Sequence, residues 1–165
     1  MHHVQIGLFF NYFCSENFEI INSAGFWKLI QIGLTHQCSL TRKRALFLMK
    51  RYTDTKSPTL NSYAQGILGD MDTKDWEEYF LILETLEEKQ VHIVQQVMNK
   101  LPGLVRFHAS WVFIVYCRFF THQHITVVKW GLENFLSTFN IQAENFAGDI
   151  QDFLTTDLLQ VKGLP

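Results

Sequence analysis

Ser110-Trp111-Val112-Phe113-Ile114-Val115-Tyr116-Cys117-Arg118-Phe119-Phe120-Thr121 is the stretch on which the fold turns. The run is apolar nearly all round, the pattern of a helix enclosed by other helices, and Ser110 is placed to cap its start. It is too short for the ~20 apolar residues of a membrane span, and Arg118 closes it. A central helix needs amphipathic neighbours, and they flank it. Upstream, Asp72 or Thr73 opens an acidic helix reaching about Glu87, in which Trp76, Tyr79, Phe80, Leu83 and Leu86 form one stripe of 3–4 spacing. Val91–Leu101 follows, ended by Pro102-Gly103. Downstream, Thr126 caps Val127–Phe139, and Ala143–Leu159 is a last amphipathic run.

Nearer the N-terminus, Phe26–Leu34 places Phe26, Leu29, Ile30 and Gly33 on one face, and His36-Gln37-Cys38-Ser39 breaks it. Ser39 then caps a helix over Leu40–Tyr52. Thr53–Asp72, with Ser57-Pro58, Asn61-Ser62, Gly66 and Gly69, reads as one long loop. No segment alternates with period two between hairpin turns, so the predicted class is all-α. Helix pairs recur at roughly 40-residue intervals, the spacing of HEAT and armadillo repeats. The expected architecture is therefore stacked helical hairpins, an α-solenoid segment of three to four hairpins over residues 25–165. A closed bundle fits the pattern about as well; the unequal character of successive helices favours stacking. Residues 1–24 have no clean period and read as an irregular N-terminal arm or a truncated edge.

Composition narrows the function. Apolar residues are 47% of the 165-residue chain and aromatics 15%, which excludes a disordered or low-complexity protein. Against 14 Lys and Arg stand 16 Asp and Glu, so the whole chain is no polycation for non-specific nucleic-acid binding. Cys14, Cys38 and Cys117 lie far apart without a CxxC, which points to reduced, intracellular cysteines in nucleus or cytoplasm. Val4–Cys14 is apolar but lacks the basic start and the cleavage site of a signal peptide.

Reactive constellations are scarce. His122-Gln123-His124 near Cys117 is the one His/Cys concentration, and residues two apart do not share a helix face. It reads as a polar turn, and His2-His3 as a terminal pair. There is no GxSxG elbow, no GxGxxG and no P-loop. The three cysteines read as packing residues in neutral surroundings, and the carboxylates of Asp72–Glu88 as a solvated helix face. No catalytic, cofactor-binding or metal residue is assigned.

One local feature is sharper. Arg42, Lys43, Arg44, Lys50 and Arg51 put five of the 14 cations into ten residues. On a helical wheel Lys43, Arg44, Lys50 and Arg51 share an arc of about 120° that also holds Phe47. Ala45, Leu48, Met49 and Tyr52 lie opposite; Arg42 falls on the apolar side and should be paired or snorkelling. The arc is either a solvated face, a stripe pairing with the acidic Asp75/Glu77/Glu78/Glu84/Glu88 helix, or a phosphate-tracking surface with Phe47 available for stacking.

Several strings resemble a known family. Phe26-Trp27-Lys28, Leu40-Thr41-Arg42-Lys43-Arg44-Ala45, Trp76-Glu77-Glu78-Tyr79, Leu81-Ile82-Leu83-Glu84-Thr85-Leu86-Glu87, Gln90-Val91-His92-Ile93, Phe107-His108-Ala109-Ser110-Trp111 and Phe135-Leu136 resemble, in order, the long N-terminal region of the TAR-RNA-binding methyltransferases. These are tRNA guanosine 2′-O-ribose methyltransferases. The resemblance covers about Phe26–Leu159 and implies an α-solenoid. It also implies S-adenosylmethionine only for the family's knotted SPOUT domain, for which this chain has no Gly-rich α/β segment. No family catalytic residue maps here, and the Leu40–Ala45 string carries an implied role in scaffolding or tRNA contact.

The function expected from these readings is a non-catalytic helical-repeat scaffold that assists RNA binding or positioning. Lys43, Arg44, Phe47, Lys50 and Arg51 are its candidate RNA contacts. tRNA or other RNA, and other protein subunits, are its expected partners. The alternative is a HEAT-type protein-interaction module without nucleic acid.

Overall fold

The computed structural model describes residues 22–53 and 62–152, with side chains over 22–53 and 64–138. The readings of the first 21 residues, of Cys14 and of Ser57-Pro58 lie outside these. Seven α-helices and one 3-10 helix make up the described residues, with no strand among them: α1 Ala24–Thr35, α2 Ser39–Thr53, α3 Ser62–Leu68, α4 Thr73–Thr85, α5 Val91–Gln95, the 3-10 helix Met98–Arg106, α6 Ala109–Phe120 and α7 Ile125–Asp152. The described residues are all-helical, as the periodicity predicts. The chain divides into two compact units, Met1–Asp70 and Met71–Pro165.

In the first unit α1 and α2 form an antiparallel hairpin. Phe26, Trp27, Ile30, Gly33 and Leu34 of α1 and Thr41, Ala45, Leu46 and Met49 of α2 are buried. Trp27 therefore takes the place expected for Leu29, which is 51% exposed. Both positions border the apolar stripe, and the larger indole gains more from burial. The ring of Phe26 meets Tyr52 edge to face at 5.2 Å. At the crossing there is no room for a side chain on Gly33: a Cβ there would stand 2.7 Å from the Ala45 Cβ. The expected loop Thr53–Asp72 is corrected by α3, whose Ala64 and Leu68 are buried. Gly69 ends α3 with φ +65° and an N–H bond to the Gln65 carbonyl, 2.8 Å, the left-handed helix end that glycine adopts without strain.

The second unit is built on aromatic contacts. Asp72 caps α4 by accepting from the Asp75 N–H at 2.8 Å, and the Asp75 carboxylate returns the bond to the Asp72 N–H. Trp76, Tyr79, Phe80, Leu83 and Leu86 are all buried, as their spacing predicts. Trp76 lies 5.1 Å from Phe107 and 5.7 Å from Trp111, both edge to face. The Tyr79 hydroxyl donates to the Trp111 carbonyl at 2.9 Å, tying α4 to α6. In α6, Trp111, Val112, Ile114, Val115, Tyr116, Arg118 and Phe119 are buried, the enclosure that its all-round apolarity implies.

Several helix boundaries and caps differ from those read off the sequence, among them Ser39, which is the first residue of α2 rather than its cap. The predicted helix Val91–Leu101 is a five-residue α5 followed by a 3-10 helix that continues through Pro102. Each 3-10 bond reaches back only three residues, so a missing donor removes one bond without stopping the run. The caps assigned to Ser110 and Thr126 belong to histidines instead. His108 Nδ1 accepts the Ser110 N–H at 3.3 Å, and His124 Nδ1 the Thr126 N–H at 3.4 Å. Finally, Val127–Phe139 and Ala143–Leu159 are not separate over the described residues: α7 runs unbroken from Ile125 to Asp152. Asn140-Ile141-Gln142 holds neither Gly nor Pro, and a single Asn costs a helix well under 1 kcal/mol.

The two units contain one recurring turn. Thr35-His36-Gln37 joins α1 to α2, and Thr121-His122-Gln123 joins α6 to α7. In each, the Thr hydroxyl donates to the carbonyl four residues back, at 3.3 Å from Thr35 and 2.8 Å from Thr121. In each, the His N–H bonds the carbonyl three back, Gly33 or Phe119. In each, His Nδ1 accepts the N–H two residues on, at 3.0 Å from Cys38 and 3.0 Å from His124. The crossing falls at matching positions too. Gly33 and Ala45 meet in the first hairpin; Phe119 and Gly131, at the same offsets from their histidine, meet in the second, where a Cβ on Gly131 would stand 2.5 Å from the Phe119 Cβ.

Candidate nucleic-acid interface

The five candidate residues all lie on α2, and its register brings them together. Lys43, Phe47 and Arg51 are exposed; Arg44 and Lys50 are half-buried. Phe47 keeps 54% of its surface in water despite being a large apolar ring. Ala45 and Met49 are buried, with Leu48 and Tyr52 half-buried, so the helix is two-faced as its sequence predicts. Arg42 is paired, as expected. Its Nη1 donates to the carbonyls of His36 and Gln37, 2.7 Å each, bracing the α1–α2 turn.

One member of this face escaped the sequence reading. Leu40 is 55% exposed and sits in the same arc as Phe47, seven residues away. The signal was present: an apolar residue followed by Lys-Arg three and four positions on occurs twice, as Leu40/Lys43/Arg44 and Phe47/Lys50/Arg51. With basic residues Lys50 and Arg51 in its last turn, the helix also complements its own negative C-terminal dipole.

The acidic helix finds partners inside its own unit. Asp75 pairs with Arg106, Glu78 with Lys100 at 3.4 Å, and Glu87, just beyond α4, with the buried Arg118 at 2.8 Å. These are ion pairs with groups 22 to 31 residues away in sequence, which helical periodicity does not reveal.

Cys38 departs from its expected neutral setting. It stands just before α2, where the Thr41 N–H, the Thr41 hydroxyl and the Leu40 N–H bond the sulfur and lower its thiol pKa. The expectation that the surroundings of Cys38 leave its pKa alone is thus corrected. His122 has both ring nitrogens committed: Nδ1 to the His124 N–H, and Nε2 to the Glu88 carbonyl at 3.0 Å. Among the described residues no three His, Cys, Asp or Glu side chains gather as a metal site. No described helix is long and apolar enough to cross a membrane.

Comparison with known proteins gives one informative match. The chain is 29% identical to the tRNA (guanosine(18)-2′-O)-methyltransferase TARBP1 of Mus musculus over 161 aligned residues, covering 81% of this chain and 10% of that protein. No family model matches the chain. No solved structure matches it.

Proposed function

We propose, from the chain's relation to a stretch of the tRNA 2′-O-methyltransferase family, that it is a non-catalytic helical scaffold which helps to bind or position RNA. The observation that carries this reading is the outer face of α2, where Lys43, Arg44, Lys50 and Arg51 surround an exposed Phe47. Four cations make a contact patch that lends affinity and orientation to a larger assembly. The chain takes no cofactor of its own; S-adenosylmethionine belongs with the family's catalytic domain. Its place is intracellular, in nucleus or cytoplasm.

The architecture that goes with this role is an α-solenoid of HEAT or armadillo type. The repeated Thr-His-Gln turn supports it. From His36 to His122 is close to twice the roughly 40–47-residue length of such repeats. The equivalence of Gly33/Ala45 with Phe119/Gly131 adds to that support.

A second reading, a protein-interaction module without nucleic acid, draws on exposed apolar residues of α7, namely Ile125, Leu132 and Leu136. Salt separates the two readings. RNA binding through four phosphates predicts a log–log slope of about −3 against salt concentration, from roughly −0.7 to −0.9 per contact. A tRNA gel shift is the direct test, and changing Lys43, Arg44, Lys50 and Arg51 together to Glu is expected to abolish the shift. Unchanged binding by that variant overturns the RNA reading.

A further inference from the structure

We infer that the outer face of α2 recognises unpaired nucleotides of RNA rather than the backbone of a duplex; this rests on the RNA reading above. The face is built from two equal stations. Leu40 with Lys43 and Arg44 forms one, and Phe47 with Lys50 and Arg51 the other. At a rise of 1.5 Å per residue they stand about 10.5 Å apart along one side of the helix. Each station offers a half-exposed apolar side chain and, one turn further on, two cations.

The cations alone would serve any polyanion, so the apolar members decide the class. An A-form duplex stacks its bases inside, hides one groove too deep and narrow for side chains, and presents riboses and 2′-hydroxyls in the other. Against that surface Leu40 and Phe47 would lose water and meet no apolar partner. An unpaired strand turns base faces outward. There the Phe47 ring can stack, Leu40 can pack, and the intervening phosphates meet the Lys-Arg pairs. An acidic polypeptide would satisfy the cations but brings no flat apolar faces to the two stations.

Fluorescence anisotropy of the intact chain tests this, with a labelled 12-nucleotide RNA of no self-complementarity, its 12-base-pair duplex and poly-glutamate as competitor. The strand is expected to bind more tightly than the duplex. Phe47→Ala should weaken strand binding about fivefold or more, the lower end of what one base–aromatic stack contributes. Leu40→Ala should weaken it less, and both should leave duplex binding unchanged. Both side chains are exposed, so the variants keep the fold, which circular dichroism verifies. Equal binding of strand and duplex, indifference to Phe47→Ala, or equally effective competition by poly-glutamate overturns the inference. In those cases sensitivity to the four-fold Glu variant still upholds the RNA reading. Absence of binding to either RNA overturns both.

Discussion

Tyr79 shows how much a single side chain holds together. It is fully buried, its ring packs 5.2 Å from Phe107, and its hydroxyl satisfies the Trp111 carbonyl. Burial pushes its pKa well above the ordinary 10.0, with the nearby Cys117 adding to the effect. The folded state thus prefers the neutral phenol more strongly than the unfolded state does. Stability from this group is fully present below about pH 10 and is lost as pH rises beyond it, because only the unfolded chain ionises readily there. Tyr79→Phe is therefore expected to cost about 1 kcal/mol at neutral pH, through the lost hydrogen bond. It should also make the decline of urea stability above pH 10 shallower than in the parent, and an unchanged alkaline slope would contradict this assignment. The burial of Tyr79 was legible from the 3–4 stripe of α4. Its partner was not, since Trp111 lies 32 residues away.

At the scale of elements, the hairpins are set by how closely two helices approach. Gly33 and Gly131 each sit where a partner side chain leaves no room for a Cβ. Alanine normally favours a helix over glycine by about 1 kcal/mol, yet Gly33→Ala is expected to destabilise the protein by about 1–3 kcal/mol through overpacking. The compensating exchange Gly33→Ala with Ala45→Gly should recover most of that loss. The measurement is a double-mutant cycle by urea denaturation, and additive single effects would show that the two positions do not share the crossing. Sequence periodicity placed Gly33 on the inner face of its helix, but gave Gly131 no role. Glycine offers no side chain to a hydrophobic pattern, so its use at a contact becomes visible only when the facing residue is known. The histidine caps escaped for a related reason. Ser110 and Thr126 match the usual preferences at helix starts, whereas His108 and His124 supply the acceptor through ring geometry.

At the scale of the whole molecule, several large apolar side chains among the described residues stay exposed. Ile125, Leu132 and Leu136 share one stripe of α7 and are exposed, while Val127 and Phe135 on another face of the same helix are buried. Leu132→Glu with Leu136→Glu is accordingly expected to keep the helical spectrum, to shift stability by no more than about 1 kcal/mol, and to reduce binding of a hydrophobic dye. Unfolding of the double variant would mean that this stripe is part of a core. By itself the sequence determined that the described residues are helical, where most helices lie, that α2 is basic on one side, and the chain's similarity to a stretch of a tRNA 2′-O-methyltransferase. All of these rest on short-range periodicity or on the order of residues, which a linear chain displays in full. Tertiary structure alone decided that Trp27 rather than Leu29 enters the core of the first unit, that Arg118 and Glu87 pair in the second, and that Gly33 and Gly131 stand at matching close approaches in two hairpins. Each of those depends on a neighbour distant in sequence, because burial, ion pairing and close approach are properties of two surfaces meeting.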